Sequence, residues 1–211
     1  SAEVDRADHE QVVGVLNGDV DNHVALVREH GLAFPVEITT DAKVIPALVA
    51  RKLGEGLDRL EAFRRTVASF EGSVAIGVSS AADPGELLLA LRGSGQALYV
   101  GVTEDAYVVA SEPYGVVEEC ARYLRMDGET PGNPSNPTAS RGQIVRLSRH
   151  DAGSVHGIER IAYDGTRLPV SSDDLVRSSI TTRDVDRGNF PHFLLKEILH
   201  RIEPQWNQRL N

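Results

Sequence analysis

Residues 12–23 read VVGVLNGDVDNH. The apolar run Val12, Val13, Val15, Leu16 stops at Asn17-Gly18, and an Asn-His pair follows at Asn22 and His23. β-branched residues ahead of a turn-forming pair predict a buried strand over residues 11–16. Asp21 or Asn22 suits the start of a helix carrying Val24, Leu26 and Val27, and Gly31 suits its stop. Two readings of Asn17-Gly18 stand open. It is an ordinary strand-ending turn, or it keeps amide donors for something charged.

Working outward, residues 41–53 (DAKVIPALVARKL) predict a helix with Asp41 as candidate N-cap and Gly54 as stop. Pro46 fits it badly, because proline lacks the N–H that would bond back to Ala42. The helix therefore starts later or has an irregular first turn. Residues 57–70 give the clearest helix, with Leu57, Leu60, Phe63, Val67 and Phe70 on one stripe. Strands follow at 72–78, 86–92, 97–102 and 106–111. Their continuous apolarity predicts sheets covered on both faces. A helix is expected after Pro113, carrying Val116, Val117, Cys120 and Leu124. The Pro-, Gly-, Asn- and Ser-rich stretch 126–142 reads as a long exposed loop. Strands resume at 143–147 and 157–163, with a hairpin turn at Asp164-Gly165. A last helix is expected from about Phe193 to Ile202. Helices, then strands, then helices predict an α+β class rather than regular βαβ alternation.

Composition narrows the function classes. The net charge of −9, from 22 basic and 31 acidic side chains in 211 residues, argues against a nucleic-acid partner, which needs a basic face. No apolar stretch approaches the ~20 residues of a membrane helix, so no membrane partner is expected. The single cysteine, Cys120, excludes an internal disulfide framework and suits a reducing, cytoplasmic setting. It reads as a buried, inert thiol. The seven histidines show no ligand spacing, so no metal is expected. RGSGQ at 92–96 lies between two strands and reads as a turn rather than a dinucleotide loop. No cofactor is implied.

The order of motifs resembles the glutaminase domain of class II glutamine amidotransferases, closest to the glutamine–fructose-6-phosphate aminotransferase (glucosamine-6-phosphate synthase) family. That family's strand-HNG-x4-NH-x2-L pattern reads VLNGDVDNHVAL here, with Leu16 in place of the histidine. Its TDTEVIAHL is similar to TDAKVIPAL at 40–48, with Lys43 where the family has glutamate. Its LLAARSGSPLVIG and FIASD strands are similar to LLLALRGSGQALYVG and YVVASEPYG. Its HYMQKEI is similar to HFLLKEI at 192–198.

The resemblance implies a four-layer αββα sandwich of the N-terminal-nucleophile hydrolase type. It implies hydrolysis of glutamine to glutamate and ammonia, for transfer to a sugar phosphate by an isomerase domain in the parent protein. In the family an N-terminal cysteine attacks the glutamine amide, and its own α-amino group handles the proton. Asn17 and Gly18 match the oxyanion hole, and Asp41 matches the aspartate that binds the substrate α-ammonium. Asn22, His23 and His192 are assigned to packing. The family's nucleophile and carboxylate-gripping arginine lie well upstream of its Asn-Gly, whereas only sixteen residues precede Asn17 here. The chain is therefore expected to hold no nucleophile (Ser1 included), to be incomplete at its N-terminus, and to be inactive alone. Its expected division is a glutaminase part, 1–190, and a helix, 191–211, leading towards the isomerase domain. Two other readings stay open: another class II amidotransferase, or a non-catalytic ligand-binding or regulatory module on the same scaffold.

Overall fold

A computed structural model describes residues 11–117, 119–130 and 141–177. The expected helix at 193–202, His192, Ser1 and most of the 126–142 loop lie outside the described residues, as does the proposed boundary at 190. The chain divides into a unit 1–177 and a second, 178–211, which is also outside them.

The described residues form two antiparallel sheets. The larger contains β1 (Val12–Gly18), β2 (Val74–Ser80), β3 (Asp83–Arg92), β7 (Gln143–Ser148), β8 (Ile158–Ala162) and β9 (Arg167–Leu168), adjacent in that order. The smaller runs β10 (Val176–Arg177), β6 (Arg122–Arg125), β4 (Tyr99–Val102), β5 (Tyr107–Ala110). Alternation along the strands sorts side chains to two faces. Ile76, Val78, Leu88, Ala90, Ile144 and Ile161 face the helices α1 (His23–Glu29), α2 (Val44–Gly54) and α3 (Arg59–Ala68). There they pack with Leu26, Ile45, Leu48, Phe63 and Val67. Ala75, Leu89, Leu91, Val145 and Leu147 face the smaller sheet and meet Val100, Val102 and Leu124. Beyond that sheet, Val116 of α4 (Tyr114–Val117) and Cys120 pack against Gly101. Helix, sheet, sheet, helix: the architecture is the expected α+β, four-layer αββα sandwich.

Local signals account for the element ends. α1 stops at Gly31 (φ +57°), a conformation glycine adopts without a Cβ penalty, while Gly31 N–H bonds to Arg28 O and Leu32 N–H to Val27 O. Asp58 caps α3, accepting from the Glu61 N–H at 3.0 Å. Pro46 is tolerated because the helix has an irregular entry. A 3₁₀ turn, Asp41–Lys43, leads into α2. Pro46 then stands in the first turn, where N–H groups have no intrahelical partner. The Asp164-Gly165 hairpin forms as expected between β8 and β9.

Four expectations are corrected. β1 runs to Gly18, so Asn17-Gly18 is the paired end of the strand, not a turn beyond it. Asp41 does not cap the helix; the Thr40 hydroxyl accepts from the Ala42 N–H, and the Asp41 carboxylate is used elsewhere. Cys120 and Leu124 do not share a helix with Val116. α4 ends at Val117, Cys120 follows it, and Leu124 lies in β6, which pairs with β4. The 126–142 stretch is only partly exposed at its ends: Met126, Gly128 and Gly142 are buried while Asp127, Glu129 and Arg141 are exposed, and Gly142 N–H bonds to Thr130 O.

Candidate functional site

Among the described residues β1 is an edge strand, and its hydrogen-bond parity decides which groups it leaves open. In an antiparallel ladder, opposed residues alternately exchange both backbone bonds and none. Ala81 N–H bonds to Gln11 O at 2.9 Å, and Asp19 N–H bonds to Ser73 O at 3.3 Å. The register between them is unbroken, so odd-numbered residues of β1 pair with β2. Asn17 therefore turns its carbonyl toward Ala75. In a trans peptide the next N–H points the opposite way. The Gly18 N–H faces the open edge.

Glycine is required at that position. Gly18 has φ +109°, and a Cβ there would lie 2.1 Å from Ser73 O and 3.3 Å from Gln96 Cγ. Asn17 precedes it on the face shared with Val13 and Val15, exposed at 59% and 65% because the smaller sheet does not cover this edge. The Asn17 side chain is itself exposed and has no hydrogen-bond partner among the described residues. Leu16, where the family has histidine, points the other way and packs on the helix-side core.

Asp41 is brought to the same end of the strand. Its Oδ2 accepts from the Val20 N–H at 2.7 Å, and its Oδ1 meets the Thr40 hydroxyl at 3.5 Å. Val20 is three residues past Asn17, a backbone span of at most about 11 Å. Gly14 lets this happen. A Cβ there would lie 3.0 Å from Ile45 Cγ2, so α2 sits close on β1 and carries the 3₁₀ turn to the strand's end. Lys43, two residues on, is drawn away by its bond to Ile38 O (2.7 Å) and lies 5.1 Å from the Phe34 ring centroid.

The neighbouring polar residues have structural partners. The Asn22 side chain donates to Ser69 O at 2.8 Å and accepts from the Glu71 N–H at 3.0 Å, clamping α1 to the α3–β2 connection. His23 Nδ1 lies 3.0 Å from Val20 O. Cys120 is 2% exposed, and burial, with Glu119 beside it, pushes its thiol pKa up. A thiol so placed is a poor nucleophile. Among the described residues no cluster of three metal-ligating side chains occurs, and no helix is long and apolar enough to cross a membrane. Two residues at this end were not singled out from the sequence: Ser73 and Gln96. The RGSGQ stretch is a turn, as read, but one that folds against Gly18.

Sequence comparison bears on this arrangement. The chain is 28% identical over 184 residues to glutamine–fructose-6-phosphate aminotransferase of Halalkalibacterium halodurans, covering 87% of this chain. It is 27% identical over 185 residues to the Bacillus cereus protein of that name, and 28% over 189 residues to that of Geobacillus kaustophilus, each again covering 87%. Its relatives are glutamine–fructose-6-phosphate aminotransferases. The chain spans 27% of their length, about a quarter. No family model matches it. Among solved structures, it is similar to the allosteric regulatory enzyme of purine biosynthesis (TM-score 0.52, 21% identity, 73% of this chain and 29% of that one). It is also similar to the B. subtilis glutamine phosphoribosylpyrophosphate amidotransferase complexed with ADP and GMP (TM-score 0.52, 20% identity, 72% and 29%). These neighbours share the chain's fold.

Proposed function

We propose that this chain is the glutaminase part of a glutamine-dependent amidotransferase, hydrolysing glutamine to glutamate and ammonia for transfer to a sugar phosphate. The observation that carries the reading is the end of β1. Among the described residues, a backbone N–H at Gly18 without a partner stands beside an unpartnered Asn17 amide, with the Asp41 carboxylate anchored to Val20, three residues on from Asn17. The relatives' name supports the substrate class, and supports a sugar-phosphate isomerase domain as partner in the whole protein.

In this reading the glutamine side-chain carbonyl points at the Gly18 N–H and the Asn17 amide. A thiolate adds to the carbonyl carbon and pushes its π-electrons onto oxygen, where the two donors meet the new negative charge. Each such donor is worth ~3–4 kcal/mol in the transition state. The C–N bond then breaks, nitrogen leaves as ammonia after taking a proton, and water hydrolyses the thioester to glutamate. The thiolate is not Cys120, so the chain alone is expected to release no ammonia. Asp41 takes the α-ammonium through a charge-assisted hydrogen bond, which selects an amino acid over a simple amide. Extended glutamine spans about 6 Å from α-nitrogen to side-chain carbonyl, within the reach that the Val20 anchor sets.

The test is substrate discrimination by the full-length protein. Asp41→Asn should raise KM for glutamine roughly 10- to 100-fold, the cost of a lost charged hydrogen bond. It should leave hydrolysis of 4-carbamoylbutanoate, which lacks the α-amino group, unchanged. An equal effect on both substrates, or on neither, contradicts the assignment. Full-length protein that binds glutamine without releasing ammonia would favour a binding module instead.

A further inference from the structure

The hydrogen-bond ladder of β1 does not stop with the strand. Past Gly18 the chain stays stitched to the connection between α3 and β2: Asp19 N–H bonds to Ser73 O at 3.3 Å, and Asp21 N–H to Glu71 O at 3.0 Å. Gly72 lets the two segments approach, since a Cβ there would lie 2.4 Å from Asp19 O. The odd-numbered amides are therefore spent on this connection. The even-numbered ones turn away from it, Gly18 toward the open edge and Val20 to Asp41 Oδ2 at 2.7 Å.

Asn22 closes the ladder with its side chain. It stands at the N-cap of α1 and accepts from the Leu26 N–H through its backbone carbonyl at 3.1 Å, yet its side chain makes no bond to its own helix. An asparagine at that position ordinarily spends its side-chain oxygen on the first turn. Here Oδ1 accepts from the Glu71 N–H at 3.0 Å and Nδ2 donates to Ser69 O at 2.8 Å, 49 and 47 residues away in sequence. The carboxamide takes the place of one more peptide group in the ladder.

This bracing fixes residues 19–21, and with them the spacing of the two ends of the site. Gly18 is already held by its pairing with Val74. Val20 lies beyond the strand, and Asp41 hangs on it. The Gly18 and Val20 nitrogens are two residues apart, at most about 7 Å, which suits a glutamine of about 6 Å lying between them. We propose that Asn22 is a positioning residue that holds the Val20–Asp41 end of the site at glutamine length from the Gly18 N–H. The inference rests on the glutaminase reading above. Asn22 touches no substrate and takes no part in the attack.

The experiment uses the full-length protein and compares glutamine with 4-carbamoylbutanoate, which lacks the α-amino group and so does not use the Asp41 end. Asn22→Ala should raise KM for glutamine about 3- to 10-fold, the worth of one neutral hydrogen bond expressed as a binding ratio. It should leave kcat within about twofold and both constants for 4-carbamoylbutanoate unchanged. A purely structural clamp gives another pattern: fewer folded molecules lower kcat for both substrates alike and leave both KM values in place. Asn22→Asp keeps the acceptor for Glu71 and loses the donor to Ser69. It serves if the alanine variant fails to fold, and should shift glutamine KM in the same direction. Parallel changes for the two substrates, or no change in either, overturn the proposal. Asp41→Asn separates the two levels. If it raises KM for glutamine alone while the Asn22 variants do not, the inference alone falls. If it does not discriminate between the substrates, the glutaminase reading falls too.

Discussion

The two ends of the six-stranded sheet are built on opposite rules. At one end, Arg59 bridges Asp83 and Glu86 at 2.7 Å each, and Arg146 reaches Glu86 at 3.6 Å and Glu159 at 2.5 Å. These five charges surround an open cleft of about 390 Å³. It is the more conspicuous feature of the surface, yet its charges already hold one another. At the other end, the Gly18 N–H and the Asn17 and Gln96 side-chain amides are unpartnered among the described residues. Paired charges consume their own binding capacity, whereas amides fixed by the backbone and left open keep theirs for a ligand. In the proposed reading the cleft is structural and the strand end is the working site.

The largest effect expected from breaking this contrast is at Gly18. Gly18→Ala places a methyl 2.1 Å from Ser73 O in a backbone conformation that disfavours any side chain. Strain and overpacking together should cost about 2–5 kcal/mol in urea unfolding. Near-native stability would mean that the strand end can relax, and that its geometry is not fixed as described. At the other end, Glu86→Gln leaves Arg59 and Arg146 without their shared partner. It should cost about 1–3 kcal/mol, below the figure for fully buried pairs because Arg59 and Arg146 remain 34% and 42% exposed. It should leave glutamine KM unchanged. The smallest effect is at Cys120. Its thiol should label slowly in the folded protein, and Cys120→Ala should leave ammonia release unaltered in the full-length protein. Rapid labelling would place a reactive thiol just after α4, against Gly101 of the smaller sheet.

Much of the fold is legible in the sequence where apolar runs and glycines punctuate each other, as from β2 to β5 and around α3. β6 is not. RYLR (122–125) has charged residues at both ends and follows VVEECA (116–121), so its pattern continues a helix. Only pairing with β4 makes it a strand, and pairing with a distant strand is invisible to local periodicity. Asp41 shows the same limit on a smaller scale. A carboxylate ahead of a helical pattern reads as a cap, but Thr40 takes that role and releases Asp41 to bond Val20, 21 residues away in sequence. Asn17 and Gly18 stand out because the strand ending in Asn-Gly matches a family motif; taken locally, the pair reads as a turn. The proximity of Gln96 to Gly18 is hidden because it comes from a turn folded over a strand end 78 residues earlier. That gap follows from the numbering alone.

The central claim is that the open amides at the end of β1, and not the charged cleft at the opposite end, carry the chemistry. Its most direct test is kcat for ammonia release from glutamine by the full-length protein, compared between Asn17→Ala and Glu86→Gln. The account predicts a drop of ~10²–10³ for Asn17→Ala, from loss of one oxyanion donor, and a kcat within about twofold of the parent for Glu86→Gln. The reverse pattern, with Asn17→Ala active and Glu86→Gln impaired at a temperature where both are folded, would contradict it.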